Sequence, residues 1–382
     1  MVRWRIGPVP TTLLEVLVLL TLGLYAISVL LRQAPLPGWT RLEIPIALFL
    51  VAGVIGTFVA PDHRSALGIF RAYLVEPVAI YFVAIAILSS VASVEALLVG
   101  WAAGALLFAA DEIYRFGQAL AADVLHPGHA QAALNINPNS VAIYLEPLLA
   151  VAGGLALFTT GRRRVIAIAV VAALGVAEVA TLSRGGLLAL AAMAAVAILT
   201  IPSVRLRVAV GAAAVAAAAA VFALPILGPR VESTLNQNGT FTLRLHIWAA
   251  TLRMLRDHPL FGAGINSYQD TMAPYRVGDP RLYPQPYPHN IFLTSWTELG
   301  VLGMLAFAYI LFFLIVVAFR AFARATGVQR ALLWGTGVAF VMILVHGLVD
   351  SPYWKNDLSV EFWLLAAVEI AVLRLARHQT AG

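Results

Sequence analysis

The chain has 382 residues, 61% of them hydrophobic and 12% charged, and its 25 Lys and Arg against 19 Asp and Glu leave a formal charge of +6. A soluble domain carries about 25% charged residues, so a soluble globular enzyme and a disordered tail are both excluded. The absence of cysteine removes disulfides, thiolate metal sites and cysteine nucleophiles, and a basic excess without a soluble basic face belongs to membrane topology rather than to nucleic acid.

A membrane crossing needs about 20 apolar residues. Segments of that kind run over 11–31, 42–60, 72–89, 94–110, 140–158, 165–182, 185–201, 208–227, 292–319, 331–349 and 358–373. They give about eleven crossings, and 1–382 reads as one all-α polytopic membrane domain. The first segment is long for a signal peptide and lacks a good cleavage site, so it counts as a crossing. The alanine run around 212–220 suits close helix packing. Two hydrophilic stretches interrupt the series, 111–139 and the larger 228–288, which holds Arg230, Arg244, Arg253, Arg256, Arg276 and Arg281.

Orientation follows from the short turns. Arg162 to Arg164, Arg205 with Arg207, and Arg320 with Arg324 and Arg330 all fall on one side, which the positive-inside rule makes cytoplasmic. The loop 228–288, the stretch 111–139 and Arg184 then lie on the outer face, and Arg374 and Arg377 lie inside. The same alternation puts the N-terminus outside with Arg3 and Arg5, against the rule. Either one N-terminal crossing is miscounted or a helix precedes the sequence as given.

The outer loop contains a helix-like segment over 241–257, where Arg244, Trp248 and Leu252 share a face at i, i+4 and i+8. Arg253 and Arg256 lie to other sides of it. Thr240 or Thr242 is its cap, Pro259 ends it, and Gly262-Ala263-Gly264 reads as a tight, flexible turn. The stretch from Tyr275 to Tyr287, rich in proline and tyrosine, reads as a strap over the surface. The loop closes with Tyr287-Pro288-His289-Asn290 directly before an apolar span. His289 therefore sits at the membrane boundary near the positive end of a helix, which favours the neutral imidazole and suits it to accept a proton. Taken alone, it also fits an interfacial anchor.

Arg184 lies between two spans, in Thr181-Leu182-Ser183-Arg184-Gly185-Gly186-Leu187. An interfacial arginine can snorkel, but Ser183 and the two glycines let a ligand approach the backbone, and a guanidinium grips phosphate with two donors. Arg184 and Arg244, on one side of the membrane, are thus a candidate pyrophosphate clamp. Glu76, Glu146, Glu178 and Glu298 fall within spans, which suits interhelical hydrogen bonding and, as a rival reading, proton-coupled transport. His346 and Asp350 are spaced i, i+4 but lack a third ligand, so no metal site is expected. There is no Asp-X-Asp triplet and no Walker-type loop, so no cofactor is expected either.

Taken in order, Ser183-Arg184-Gly185-Gly186 between two spans, Arg244-Leu245-His246-Ile247-Trp248 opening a loop helix, His258-Pro259-Leu260-Phe261-Gly262-Ala263-Gly264 after it, and Pro288-His289-Asn290 before the next span resemble the O-antigen ligase and polymerase superfamily. The resemblance covers roughly 137–363; the N-terminal third matches only in hydropathy. It implies an inverting, metal-independent membrane glycosyltransferase in the bacterial cytoplasmic membrane. The donor would be an undecaprenyl-pyrophosphate-linked glycan, and the acceptor a glycolipid or another glycan at the outer face. It gives the catalytic roles to His289, Arg184 and Arg244. Around these, Asn290, Tyr287, Trp248 and Arg253 are candidate substrate-binding residues, and Tyr275, Tyr283 and Tyr287 can stack on sugar faces. Ligase, polymerase and protein oligosaccharyltransferase remain open, with a transporter or lipid flippase as the reading from a different class.

Overall fold

The computed structural model describes residues 3–6, 9–122, 133, 137–223, 239–279 and 282–380; Arg230 and Arg281 lie outside them. β1 (Arg3–Ile6) and β2 (Val9–Thr12) pair antiparallel as a short hairpin. All other regular structure among the described residues is helical. α1 (Leu13–Leu30) starts in a capping box between Thr12 and Glu15, which satisfies otherwise orphaned N–H groups. α2 (Glu43–Val59) is followed by α3 (His63–Phe70), capped by Asp62. A π turn over Arg71–Val75 joins α3 to α4 (Glu76–Ile87) just ahead of Pro77, whose missing N–H interrupts a regular ladder. α5 (Val91–Ala121), α6 (Pro138–Phe158), α7 (Gly161–Ala180), α8 (Arg184–Thr200) and α9 (Val204–Ala223) follow. Between α9 and the last three helices lie α10 (Thr240–Asp257), the short α11 (Tyr268–Thr271) and a 3-10 turn at Ala273–Arg276. α12 (Ile291–Phe322), α13 (Gly327–Gly347) and α14 (Asn356–Thr380) complete the chain.

Each of the eleven expected segments overlaps a helix among the described residues. Among the described residues, six helices are long and apolar enough to cross a membrane: Leu13–Leu30, His63–Ile87, Val91–Ala121, Pro138–Phe158, Ile291–Phe322 and Gly327–Gly347. The expected count is therefore not reached on that measure. α2 and α8 are apolar but short. α7 carries three arginines and Glu178, and α14 carries Asp357, Glu361, Glu369 and Arg374.

α6 and α13 form the centre. A Cβ on Gly154 would stand 2.2 Å from the Ala331 carbonyl, and one on Gly335 would stand 2.6 Å from Val151 Cα. The two backbones meet through these missing side chains, as small residues allow in membranes. Phe49, Phe307, Tyr353, Phe362 and Trp363 pack edge-on beside them.

Contacts at the helix ends sort the chain into two faces. At one face Arg163 pairs with Glu95 at 2.8 Å, and Trp334 donates to Thr200 at 2.7 Å. There too Arg374 donates to the Ile85 carbonyl at 3.1 Å, and Arg330 lies over the rings of Phe158 and Phe322. This face joins the start of α7 to the start of α5, the start of α13 to the ends of α6, α8 and α12, and α14 to the end of α4. At the opposite face Arg71 pairs with Glu15 of α1, and Asn266 donates to Ser65 of α3 at 2.7 Å. Lys355, before α14, donates to Ser140 of α6. The first turn of α1 therefore lies on the same face as the outer-loop segments.

The outer-loop helices pack on a small core of their own, with Ile247, Met254, Tyr268, Met272 and Leu282. The segment 258–264 is no free hinge. α12 is broken at Gly300, where φ is 70°, and the segment plugs the break. Val301 N–H donates to the Leu260 carbonyl at 3.0 Å, and Ala263 N–H donates to the Thr297 carbonyl at 2.7 Å. Glu298 accepts the Asn266 N–H at 2.6 Å. A Cβ on Gly300 would stand 2.2 Å from the Leu260 carbonyl, at a φ only glycine adopts freely. Gly300→Ala is therefore expected to destabilise by at least the 1–3 kcal/mol of a strained backbone residue, read as a lower melting temperature and early aggregation in gel filtration. A variant that melts like wild type would refute the plug.

Candidate functional site

Four helix ends meet on the face opposite the arginine-rich turns. α8 begins at Arg184 because Ser183, in extended conformation, caps it: the Ser183 hydroxyl accepts the Gly186 N–H at 3.2 Å. The Arg184 guanidinium donates to Thr240 in the first turn of α10. One turn further along the same face of α10 stands Arg244, with 15% of its side chain exposed. α12 begins at Asn290, whose side chain accepts the N–H groups of Phe292 and Leu293. His289 directly precedes it with φ at 52°, a left-handed conformation uncommon outside glycine. α13 ends at Gly347, and Asp350 lies just beyond it.

Asp350 is the centre of the site. One carboxylate oxygen, Oδ1, faces Nδ1 of His289 at 3.3 Å and accepts the Ser351 N–H at 2.9 Å. The other, Oδ2, accepts from Asn139 at 2.8 Å and lies 3.9 Å from the Arg244 guanidinium. Burial alone would raise the Asp350 carboxyl, but the hydrogen bond of His289, with Arg244 nearby, overcomes it and holds the carboxyl well below the usual range. Burial lowers Arg244 from its ordinary value while Asp350 works in the other direction; an arginine stays charged throughout. Burial, followed by the charge of Asp350, raises the Tyr287 hydroxyl.

The depressed carboxyl makes a stability prediction. A group whose folded value lies below its unfolded one stabilises fully above the unfolded value, about 3.9 for Asp, and loses this only as pH falls toward the folded value. The melting-temperature gap between wild type and Asp350→Asn should not shrink between pH 8 and 5, and should narrow only below about pH 4. A gap that closes near pH 6 would contradict a carboxylate held by His289 and Arg244.

The structure brings together His289, Arg244, Tyr287 and, through Thr240, Arg184. The Tyr287 ring meets the His289 ring edge-on at 4.9 Å, and Trp248 donates to the Pro288 carbonyl at 2.9 Å, tying the strap to α10 beside His289. The other ring nitrogen of His289, Nε2, lies 3.2 Å from Oε1 of Gln285. Asn290 turns away, donating to the Leu348 carbonyl at 3.0 Å. Arg253 is exposed and donates to the Tyr275 carbonyl at 3.2 Å, outside the cluster. Tyr275 bonds Asp257, and Tyr283 is exposed.

Asn139 and Gln285 were not singled out from the sequence, and Asp350 stood out there only as a possible ligand partner of His346. Asp350 and His289 stand at the end of α13 and the start of α12, consecutive antiparallel helices whose facing ends are neighbours. That juxtaposition was implicit in the alternation of crossings.

The two glycines after Arg184 have a different use from the one expected. A Cβ on Gly185 would stand 2.3 Å from Nε2 of His346, and one on Gly186 would stand 2.2 Å from Oε1 of Glu178. The space beside these backbones is filled by side chains from α13 and α7, not open to a ligand. His346 also meets Glu146 at 2.5 Å, and all three side chains are buried. Glu146 and Glu178 thus form a polar floor under the Arg184 turn, while Glu76 pairs with Arg71 at 3.4 Å. Among the described residues no three His, Asp or Glu side chains converge as a metal site.

No curated protein matches the chain. Residues 167–308 match the family model described as O-Antigen ligase, a family of membrane glycosyltransferase-like enzymes of polysaccharide assembly. That segment contains Arg184, Arg244, Trp248, Tyr287 and His289, the side chains gathered on the face opposite the arginine-rich turns, and the match supports the resemblance of this part of the chain to the O-antigen ligase and polymerase superfamily.

Proposed function

We propose that the protein is an inverting glycosyltransferase of the outer face of the bacterial cytoplasmic membrane, transferring a glycan from undecaprenyl pyrophosphate to a glycolipid or glycan acceptor. The observation that carries this is the meeting of an imidazole–carboxylate pair, His289 and Asp350, with the guanidinium of Arg244 at the mouth of the helix bundle. The outer-face placement is supported by the positive-inside reading of Arg162 to Arg164, Arg205, Arg207 and Arg330, which assigns their turns to the cytoplasmic side, and by the site's position on the face opposite Arg163 and Arg330.

In this mechanism Asp350 holds the Nδ1–H tautomer, so the Nε2 lone pair is the free base. An acceptor hydroxyl that takes the place of Gln285 at Nε2 gives its proton to His289 as its oxygen attacks the anomeric carbon. The acceptor oxygen–carbon bond forms on the face opposite the breaking carbon–oxygen bond, and the pair of electrons leaves with the lipid pyrophosphate. Negative charge grows on that bridging oxygen, and Arg184 and Arg244 are fixed cations placed to meet it. Tyr287 supplies a ring for the sugar. Ligases, polymerases and protein oligosaccharyltransferases share this chemistry and differ in the acceptor, so the choice among them lies in which acceptor the enzyme glycosylates.

The test is release of undecaprenyl pyrophosphate from a lipid-linked glycan by the purified protein with acceptor. Turnover is expected to be unchanged by EDTA, since the cations are arginines. No release with any lipid, glycan or protein acceptor from folded protein would overturn the reading. Turnover abolished by EDTA and restored by a divalent cation would overturn the arginine mechanism.

A further inference from the structure

Asn139 lies in the first turn of α6, outside the residues matched by the family and far in sequence from the loop. Its side-chain amide has a donor end and an acceptor end, and both are engaged in the site. Nδ2 donates to Oδ2 of Asp350 at 2.8 Å, and Oδ1 accepts from the Ser183 hydroxyl at 2.9 Å. The same hydroxyl accepts the Gly186 N–H at 3.2 Å and so caps the helix that Arg184 begins. Asp350 in turn holds His289. One amide closes an unbroken hydrogen-bonded chain from the arginine turn to the histidine.

We propose that Asn139 is the positioning residue that keeps the Arg184 turn and the His289–Asp350 pair in one frame, acting through Ser183 and Asp350 without touching substrate. The inference rests on the reading of His289 as base and Arg184 as pyrophosphate ligand.

The hydrogen-bond inventory explains why an amide is needed. An ionised carboxylate accepts only. Oδ1 of Asp350 already serves His289 and the Ser351 N–H. Oδ2 has Asn139 at hydrogen-bond distance and Arg244 only at 3.9 Å. With the Asn139 donor gone, the strongest pull left on Oδ2 is the guanidinium. The carboxylate then turns toward Arg244, and Oδ1 leaves the imidazole. With the Asn139 oxygen gone, Ser183 loses its acceptor and the cap of α8 loosens. An aspartate at this position would set two carboxylates 2.8 Å apart, and a serine cannot span both partners. The turn is also braced from below by His346 and Glu178 against Gly185 and Gly186. Losing Asn139 therefore shifts geometry more than it unfolds the bundle. A misplacement of about 1 Å is worth about 10²-fold in rate.

The experiment uses the full-length protein in detergent with a lipid-linked glycan donor, beginning with wild type and His289→Ala to establish the base. Asn139→Ala is expected to elute and melt close to wild type. Its kcat should fall about 10- to 100-fold while the donor KM stays within about threefold, because the damage is to alignment rather than binding. A folded Asn139→Ala with the kcat of wild type overturns the proposal, and so does a loss wholly in KM. A thermal double-mutant cycle on Ser183→Ala and Asp350→Asn gives a second readout that needs no turnover. These two side chains are linked through Asn139, so their effects on melting temperature should be non-additive; additive effects overturn the bridge. If wild type releases no lipid pyrophosphate at all, the functional reading falls and this cycle alone decides the bridge. The cycle likewise decides if Asn139→Ala does not fold.

Discussion

Replacing His289 by alanine should lower kcat for lipid pyrophosphate release by about 10²- to 10⁴-fold, the usual worth of general-base help. The donor KM should change little. The loss follows from geometry. In the proposed mechanism His289 has Nδ1 committed to Asp350, and the acceptor hydroxyl displaces the Gln285 amide from Nε2 at the mouth of the site, so that the Nε2 lone pair of the Nδ1–H tautomer takes the hydroxyl proton. Arg184 and Arg244 are permanently charged, and Asp350 is engaged by His289, Asn139 and Ser351. Asp350→Asn should reproduce much of the defect, because an amide can present its N–H to Nδ1 and reverse the tautomer, which removes the lone pair from Nε2. Both variants should fold, since His289 is half-buried at the rim and the asparagine is isosteric. A His289→Ala protein that keeps more than a tenth of the wild-type kcat, with KM unchanged, would remove His289 from the base role whatever else the protein does.

The helices were legible because hydropathy is a one-dimensional property. Each apolar segment reports its own solvent, and caps such as Thr12, Ser90, Asn137, Ser183 and Asn290 stand in the sequence at the starts of α1, α5, α6, α8 and α12. Pairing is not one-dimensional. The partner of His289 lies 61 residues away, and its identity depends on which helix ends are neighbours in space. Asp350 looked like a possible metal partner of His346, because i, i+4 spacing is the only proximity a helix declares locally. In fact the two residues face different neighbours, His346 meeting Glu146 below and Asp350 meeting His289 above. The glycines show the same limit. Gly185, Gly186, Gly262 and Gly300 all mark close approach, but a sequence shows only that a side chain is absent, not what occupies its place. At Gly262 and Gly300 the occupant is the chain's own backbone, so the turn expected to be flexible is a wedge that fixes α10 to the broken α12. This rigidity suits a loop helix to the role proposed for Arg244, which is held from the α12 side by the plug at 258–264 and from the α8 side by Arg184 on Thr240.

Removing that arginine is the other large expected effect. Arg244→Ala should lower kcat by about 10²- to 10³-fold, the range found for loss of one preorganised donor to a developing oxyanion. Arg244→Lys should recover only a small part, since an ammonium is a point charge without the two parallel donors that fit a phosphate. Two contributions act together. In the proposed mechanism Arg244 meets the charge of the leaving pyrophosphate, and at 3.9 Å from Asp350 it also balances the carboxylate that faces His289. Arg184→Ala should be costly as well, and the pair should be non-additive, because Arg184 donates to the first turn of the helix that carries Arg244 and its loss already shifts the second cation. The comparison also separates glycosyl transfer from transport. In a transporter the intramembrane carboxyls carry the coupling, and Glu146→Gln should then be more damaging than Arg244→Ala. In a glycosyltransferase the order is reversed, because Glu146 is a buried neighbour of His346 below the site while Arg244 stands at its mouth. Measuring lipid pyrophosphate release for both variants at matched folded protein settles the order, and an Arg244→Ala enzyme within threefold of wild type would take the leaving-group role away from this arginine.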